Sequence, residues 1–423
     1  MSVVKAKTIS MSWVRTFQRK LYCAAKKSAT RRFGILYDKV KRTDVLEEAW
    51  KRVSKKNSSG GVDEKSIKWI KEHGVGKFME EIREELERGE YRAANIRRVY
   101  IPKGDGRQRP LGIPTVKDRV VQMAVKLIIE PLYEADFLQC SYGFRPKRST
   151  HQAVKEVHKQ VNYRKWVVDI DLKSYFDTIP HGQLMECVRK RVTDRRILHL
   201  IRKWLKAGIL EEGKVRYVTS GSPQGGVLSP LLSNIYLHEF DRQWSEQYGK
   251  LVRYADDMVI LCRTQEAAKQ ALQRAAAIIG KLGLEMNQEK TRICHVREGF
   301  DFLGFTYREG YSARLERKVR VKYPRKKTMK SIRQRIKEVI KGFPLGTELK
   351  EVIAEINRKV RGWANYFRIG NAYAAAISLN NYVCAQLRIF WRRRKQRKGI
   401  SGTRKWPNAF FYEKGVCYVP NLL

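Results

Sequence analysis

Apolar residues recur at helical spacing early in the chain. They stand at Trp13, Val14, Phe17 and Leu21, then at Leu36, Val40, Val45, Leu46 and Trp50, with Lys and Arg between them. The pattern predicts basic amphipathic helices, suited either to a phosphate backbone or to ordinary packing on a core. Asn57-Ser58-Ser59-Gly60-Gly61 interrupts it, and a further helical stretch over 63–89 ends at Gly89. From Ile96 the period becomes two, with Ile96, Arg98 and Tyr100 set against Arg97, Val99 and Ile101. Lys103-Gly104-Asp105-Gly106 supplies turn residues and Arg107 to Leu111 returns, so a hairpin is predicted with Arg97, Lys103 and Arg109 converging on one face. Residues 116–138 carry Val120, Val121, Met123, Ala124, Leu127, Ile128 and Leu132, the pattern of a buried helix.

A basic loop, Ser141 to Thr150, contains Arg145, Lys147 and Arg148, and Thr150 can cap the helix after it. The stretch from Lys165 to Leu172 reads as a strand with Asp169 and Asp171 on one face. Thr219 to Leu232 is a glycine-rich turn running into an apolar helix, where small residues allow a ligand close to the backbone. Leu251-Val252-Arg253-Tyr254-Ala255-Asp256-Asp257-Met258-Val259-Ile260-Leu261 is an apolar, β-branched run broken by two adjacent acids, which predicts a hairpin with the acids at its tip. Beyond about residue 309 the chain turns basic and helical, with Ile332, Ile336, Val339 and Ile340, a break at Phe343-Pro344-Leu345-Gly346, and then Val352, Ile353, Ile356 and Val360. A basic helix end with aromatics, Leu387 to Lys398, includes Arg392, Arg393 and Arg394.

Charge narrows the partners. With 88 basic and 43 acidic residues the net charge is +45, which points to a polyanion. No apolar run approaches the roughly 20 residues a bilayer span needs, and the N-terminus lacks the apolar stretch of a secretory signal. Seven scattered cysteines without a Cys-x-x-Cys pair fit reduced thiols and give no zinc spacing. The expectation is a soluble intracellular nucleic-acid protein with no membrane partner.

The acids then acquire a chemistry. Nucleotidyl transfer uses two Mg²⁺ ions, and Mg²⁺ takes hard oxygen ligands, so Asp171 on one strand beside Asp256 and Asp257 on a hairpin supplies a sufficient set. The order and spacing of these segments resemble a reverse transcriptase of the group II intron maturase family. Asp171-Leu172-Lys173-Ser174-Tyr175-Phe176-Asp177 resembles polymerase motif A, Ser222-Pro223-Gln224-Gly225-Gly226 motif B and Tyr254-Ala255-Asp256-Asp257 motif C. Arg97 through Gly112 resembles the fingers segment, and Tyr142-Gly143-Phe144-Arg145-Pro146, Leu284 to Thr291 and Phe302-Leu303-Gly304-Phe305 also match. Arg361-Gly362-Trp363-Ala364-Asn365-Tyr366-Phe367-Arg368 resembles the maturase thumb, the X domain.

The resemblance implies an α/β right-hand polymerase, with fingers and an antiparallel palm sheet over 57–308, an α-helical thumb over 309–398, a basic extension over 1–56 and a short tail over 399–423. Asp171, Asp256 and Asp257 would hold the metal, two Mg²⁺ with Mn²⁺ as an alternative. Arg97, Lys103 and Arg109 would grip a dNTP triphosphate, while Gln224 and Gly225 line the dNTP and templating-base pocket. Phe176 would exclude a ribose 2′-hydroxyl. RNA-directed RNA polymerases of similar palm carry an acid at that place, five residues after the motif A aspartate. Lys290 would protonate the pyrophosphate, or else be a solvated loop lysine. Phe302, Leu303 and Gly304 would form the primer grip, or simply pack. Asp169 reads as a supporting acid. Arg145, Lys147, Arg148, Arg361, Arg392, Arg393 and Arg394 would contact RNA. Partners implied are the group II intron RNA, an RNA template with its DNA primer, target DNA and dNTPs, in the cytoplasm of a bacterial cell and at the nucleoid when DNA is engaged. The chain shows no paired cysteines or His-Asn-His pattern of an endonuclease, so no second-strand nicking is expected. Two other readings stand beside the first: a non-polymerising RNA-binding maturase, and a reverse transcriptase domesticated for defence or repair.

Overall fold

The computed structural model describes residues 12–55, 57–102, 108–211, 214–217, 220–221, 225–312, 316–395 and 405–423. Its strands in chain order are β1 (Ile96–Pro102), β2 (Gln108–Ile113), β3 (Trp166–Ile170), β4 (Ile209–Glu211), β5 (Lys214–Arg216) and β6 (Lys250–Tyr254). β7 (Asp257–Cys262), β8 (Arg292–His295), β9 (Phe300–Phe302), β10 (Phe305–Ser312) and β11 (Arg317–Pro324) complete the set. They form three sheets. The central one is antiparallel throughout, in the order β6-β7-β3-β8. A second is built on the β1–β2 hairpin, with β4 added parallel to β1 and β5 outside it. The third, β11-β10-β9, links the central sheet to the helices that follow.

The central sheet is buried on both faces, which is why β7 reads from Met258 to Cys262 as an unbroken apolar run rather than an alternating one. Val168, Ile170, Leu251, Met258 and Ile260 enter one core with helices Val116–Glu134, Ser229–Gln243 and Gln265–Lys281. Val167, Val252, Val259 and Leu261 enter a second core with helix Thr150–Gln160, the aromatics Phe300, Phe302, Phe305 and Tyr307, and the helices beyond residue 325. Local chemistry sets the helix ends. Ser149 and Gln152 form a reciprocal capping box, Asp194 and Thr264 accept from the first free amides of their helices, and Gly89 closes its helix in the left-handed conformation.

Several expectations shift. The helix expected over 63–89 is two, Ile67–His73 and Val75–Arg88, divided at Gly74. The helix expected over 116–138 stops at Glu134. The basic N-terminal segment is no appendage: Val14, Leu21 and Ala25 are buried in the first core, and Gln18 donates to the Leu127 carbonyl at 2.8 Å. The boundary expected between 308 and 309 falls inside β10, whose ladder to β11 holds it in one sheet, so the helical unit starts at Lys326. Three helices, Lys326–Gly342, Leu349–Phe367 and Tyr373–Arg394, compose that unit. The tail also packs. Phe411, Val416 and Val419 are buried in the second core, and Asn357 holds Gly415 and Cys417 by two hydrogen bonds.

Candidate active site

Antiparallel register brings the acids together. Asp169 pairs with Val259 and Ile170 with Met258, so Asp171, one residue beyond β3, arrives beside Asp257 at the start of β7. β6 and β7 are joined by the two-residue turn Ala255-Asp256, closed by the Tyr254–Asp257 pair, with Ala255 left-handed at φ 58°. Asp171 is pinned by its own backbone, since its amide donates to Thr291 Oγ1 at 3.3 Å and its carbonyl accepts from Asn287 N at 2.8 Å.

Burial here disfavours the ionised forms of Asp257, Asp256 and Asp169. Asp257 is exposed, yet burial of its surroundings, then the carboxylates of Asp256, Asp171 and Asp169, push it up to about 6, against Arg325. Burial raises Asp256 as well, opposed by its own backbone hydrogen bond, with Asp171 adding to the rise and Arg109 and Arg253 reducing it. Asp169 is raised to about 6 by burial, partly offset by Arg292 at 3.7 Å. Among the described residues no group of three or more His, Cys, Asp or Glu side chains is drawn tightly enough to enclose a metal by itself. A cluster of carboxylates with one exposed member nevertheless suits a hard divalent cation that completes its shell with water and phosphate oxygens. One cation is already present: Lys290 Nζ lies 2.9 Å from Asp171 Oδ2.

The remaining candidates divide. Arg97 faces Ile113 and Arg109 faces Ile101 across the hairpin, so both guanidinium groups rise from one face, and Arg109 reaches the field of Asp256. Lys103 and Gln224 lie outside the described residues. Gly225 has φ 117°, and a Cβ there would overlap the Gly112 carbonyl oxygen and come within 3.1 Å of Leu111, so Gly225 is seated on β2. Phe176 is half-buried, edge-on to Tyr175 at 5.3 Å, and the Tyr175 hydroxyl donates to the Ser233 carbonyl at 2.9 Å. Phe302 is buried, while Leu303 and Gly304, both at positive φ, make the β9–β10 turn. Tyr366 OH donates to the Leu303 carbonyl at 2.8 Å and Arg325 N to that of Gly304 at 3.0 Å, which ties the turn to the helical unit.

One RNA candidate is corrected. Arg145 is buried, forks onto Glu134, and donates to the carbonyls of Leu138 and Ser141 at 2.6 and 2.7 Å, so it has no free donor face for RNA. A basic loop disguised an internal strut. Lys147 is exposed, and Arg148 covers the Tyr142 ring at 5.4 Å. Arg361 donates to Cys417 Sγ at 3.2 Å. Arg392, Arg393 and Arg394 end helix Tyr373–Arg394, with Arg393 exposed and Arg394 donating to the Thr347 carbonyl. Four residues given no role by sequence, Ser141, Asn234, Asp241 and Arg253, form a buried polar group directly beneath the acidic turn. Charge in an otherwise apolar strand at Arg253 was the one available signal.

Residues 101–307 match the family described as reverse transcriptase (RNA-dependent DNA polymerase), and residues 329–408 match the group II intron maturase-specific domain. Protein YkfC of Escherichia coli is 41% identical, over 53% of this chain and 69% of that protein. The group II intron-encoded protein LtrA of Lactococcus lactis is 28% identical, over 81% of this chain and 71% of that one. Among solved structures, a partial Cas6-RT-Cas1–Cas2 complex aligns at a TM-score of 0.37 and 25% identity. That alignment covers 58% of this chain and 42% of the solved one, and it is too loose to bear on fold or role. With both family matches in the expected order along one chain, and a relative 41% identical over 69% of its length, the protein belongs to the reverse transcriptases and maturases encoded by group II introns.

Proposed function

We propose that this RNA-directed DNA polymerase extends a DNA primer on an RNA template from dNTPs, at the acidic end of the central sheet, and that its helical unit binds the intron RNA as a maturase. The observation that carries the reading is the β3–β7 register, which delivers Asp171 to Asp257 and Asp256 from positions far apart in sequence. Reverse transcriptases as a family use divalent metal ions. Here Asp171, Asp256 and Asp257 would hold them, two Mg²⁺ or in their place Mn²⁺. When bound, they neutralise the triphosphate and lower the proton affinity of the primer 3′-hydroxyl.

The chain's own groups do the rest. Arg97 and Arg109, with Lys103, bind the phosphates as forks and a point charge. Gly225, seated on β2, and Gln224 border the base. Phe176 occupies the space a 2′-hydroxyl would need and offers it no acceptor. Lys290 Nζ, now on Asp171, is within reach to protonate the departing pyrophosphate. Leu303 and Gly304 hold the primer end. Lys147, Arg148, Arg361, Arg392, Arg393 and Arg394 contact phosphates of intron RNA or of the template–primer duplex. Target DNA enters as the source of the primer. No helix among the described residues is long and apolar enough to cross a membrane.

Primer extension on an RNA template with Mg²⁺ and dNTPs tests the proposal, wild type beside Asp256→Asn. Extension should fall by on the order of 10³-fold or more in the variant, the scale lost when a group that stabilises transition-state charge is removed, with RNA binding retained. Full extension by Asp256→Asn would sink the site assignment. A folded wild type that binds RNA tightly and never extends would leave a maturase without polymerisation.

A further inference from the structure

The acidic turn is held from two sides by groups that touch none of its carboxylate oxygens. Inside it lies Arg253, whose side chain is fully buried. Nε donates to Asp241 Oδ1 at 2.8 Å and Nη2 to Asp241 Oδ2, a bidentate pair with both partners inaccessible to solvent. Nη2 also donates to Ser141 Oγ at 2.9 Å, and Nη1 to Asn234 Oδ1 at 3.1 Å and to the Ala255 carbonyl at 2.9 Å. The Arg253 backbone is locked as well, its amide donating to the Cys140 carbonyl at 2.8 Å and its carbonyl accepting from Tyr142 N at 2.9 Å.

Outside the turn lies Gly143. A Cβ there would overlap the Ala255 amide nitrogen and stand 2.9 Å from the Tyr254 carbonyl carbon, so only glycine lets this backbone approach. Its carbonyl accepts from Asn234 Nδ2 at 2.7 Å, which makes Asn234 common to both sides. Between the two sides Ala255 is left-handed, a conformation that a residue with a Cβ keeps only when its surroundings impose it.

We propose that Arg253 and Gly143 are positioning residues for nucleotidyl transfer, a two-sided clamp that imposes the Ala255 turn and so aims the carboxylates of Asp256 and Asp257. A buried ion pair gives little net stability over an apolar replacement of the same volume, so stability alone does not account for Arg253. An apolar side chain, however, has no donor for the Ala255 carbonyl. Asn234 and Asp241 belong to helix Ser229–Gln243, which follows the glycine-rich loop at Gly225, so one guanidinium joins the nucleotide loop's helix to the acidic turn. The inference rests on reading Asp256 and Asp257 as metal carboxylates.

The test uses the full chain with Arg253→Lys, Gly143→Ala and the Asp256→Asn control, read by single-turnover primer extension in Mg²⁺ and in Mn²⁺. Mn²⁺ binding without dNTP, followed by electron paramagnetic resonance, gives a readout independent of turnover. Each clamp variant should lower the extension rate in Mg²⁺ by roughly 10²-fold, as expected for a misplacement of about 1 Å, while leaving dNTP KM and duplex affinity near wild type. The loss should be smaller in Mn²⁺, because Mg²⁺ demands nearly ideal octahedral geometry, and Mn²⁺ binding should weaken. Gly143→Ala leaves the ion pair intact, so it carries the test even where Arg253→Lys does not fold. A wild-type rate for Gly143→Ala in Mg²⁺ overturns the clamp, as does an equal loss in both metals that follows the folded fraction. Asp256→Asn separates the two failures. If it still extends primers, the metal reading falls and takes the clamp with it; if it is inactive while both clamp variants match wild type, the clamp alone is wrong.

Discussion

Lys290 meets Asp171 at 2.9 Å, so one charge in the site already answers another before any substrate arrives. Residue type bears on what such positions can do: carboxylates suit a hard cation, and a bulky apolar ring fills space while offering a hydroxyl no acceptor. Phe176→Ala should therefore admit ribonucleotides, raising rNTP use relative to dNTP by about 10-fold or more, the scale of discrimination by a hydrophobic contact. Competition between dATP and ATP on one template measures it, and an unchanged ratio would rule the ring out. Arg145 shows the limit of such reasoning. A guanidinium in a basic loop looks alike in sequence whether it faces RNA or, as here, turns inward to Glu134 and two carbonyls. His238 was silent in sequence. Burial keeps it below its ordinary value of 6.5, against the pull of Asp241, Glu239 and Asp136, and its ring is edge-on to Phe137 at 5.5 Å. A depressed value in the fold means that the neutral form is favoured, so the stability it contributes is present above 6.5 and is lost as pH falls below it. Asp169 and Asp257 act with the opposite sign near 6, so the comparison must be between variants. Between pH 7.5 and 5.5, His238→Gln should lose less thermal stability than wild type; parallel melting curves would contradict this.

At the level of elements, periodicity located most helices and the two strands that lead to the acids, but not the third sheet or β4 and β5. β4 is three residues long and is defined by pairing with β1, more than 100 residues earlier, which no local pattern encodes. The tail was equally opaque, because a short helix gains its stability from the surface it covers rather than from its own sequence. Helix Asn408–Glu413 places Phe411 in the second core with no exposed surface. Phe411→Ala should destabilise the protein by about 3–5 kcal/mol, the range for removing a large buried aromatic. Chemical denaturation would show it as a lower midpoint, and an unshifted midpoint would mean that the tail is dispensable to the fold.

For the whole molecule, a net charge of +45 predicts that phosphate neutralisation dominates RNA affinity. The logarithm of affinity should fall linearly and steeply with the logarithm of salt concentration, with a slope of about −0.7 to −0.9 per phosphate contacted. A nearly flat dependence, measured by filter binding between low and physiological salt, would contradict that account. By itself the sequence pointed to the polymerase class, to candidate acids and to a polyanionic partner, since each depends on residue type, local order or a sum over the chain. Tertiary structure alone decided which cations remain available, that the N-terminal segment and the tail belong to the cores, and what holds the acidic turn. Those outcomes depend on contacts between residues distant in sequence, where one buried guanidinium is distinguished from a solvated one only by the groups that surround it.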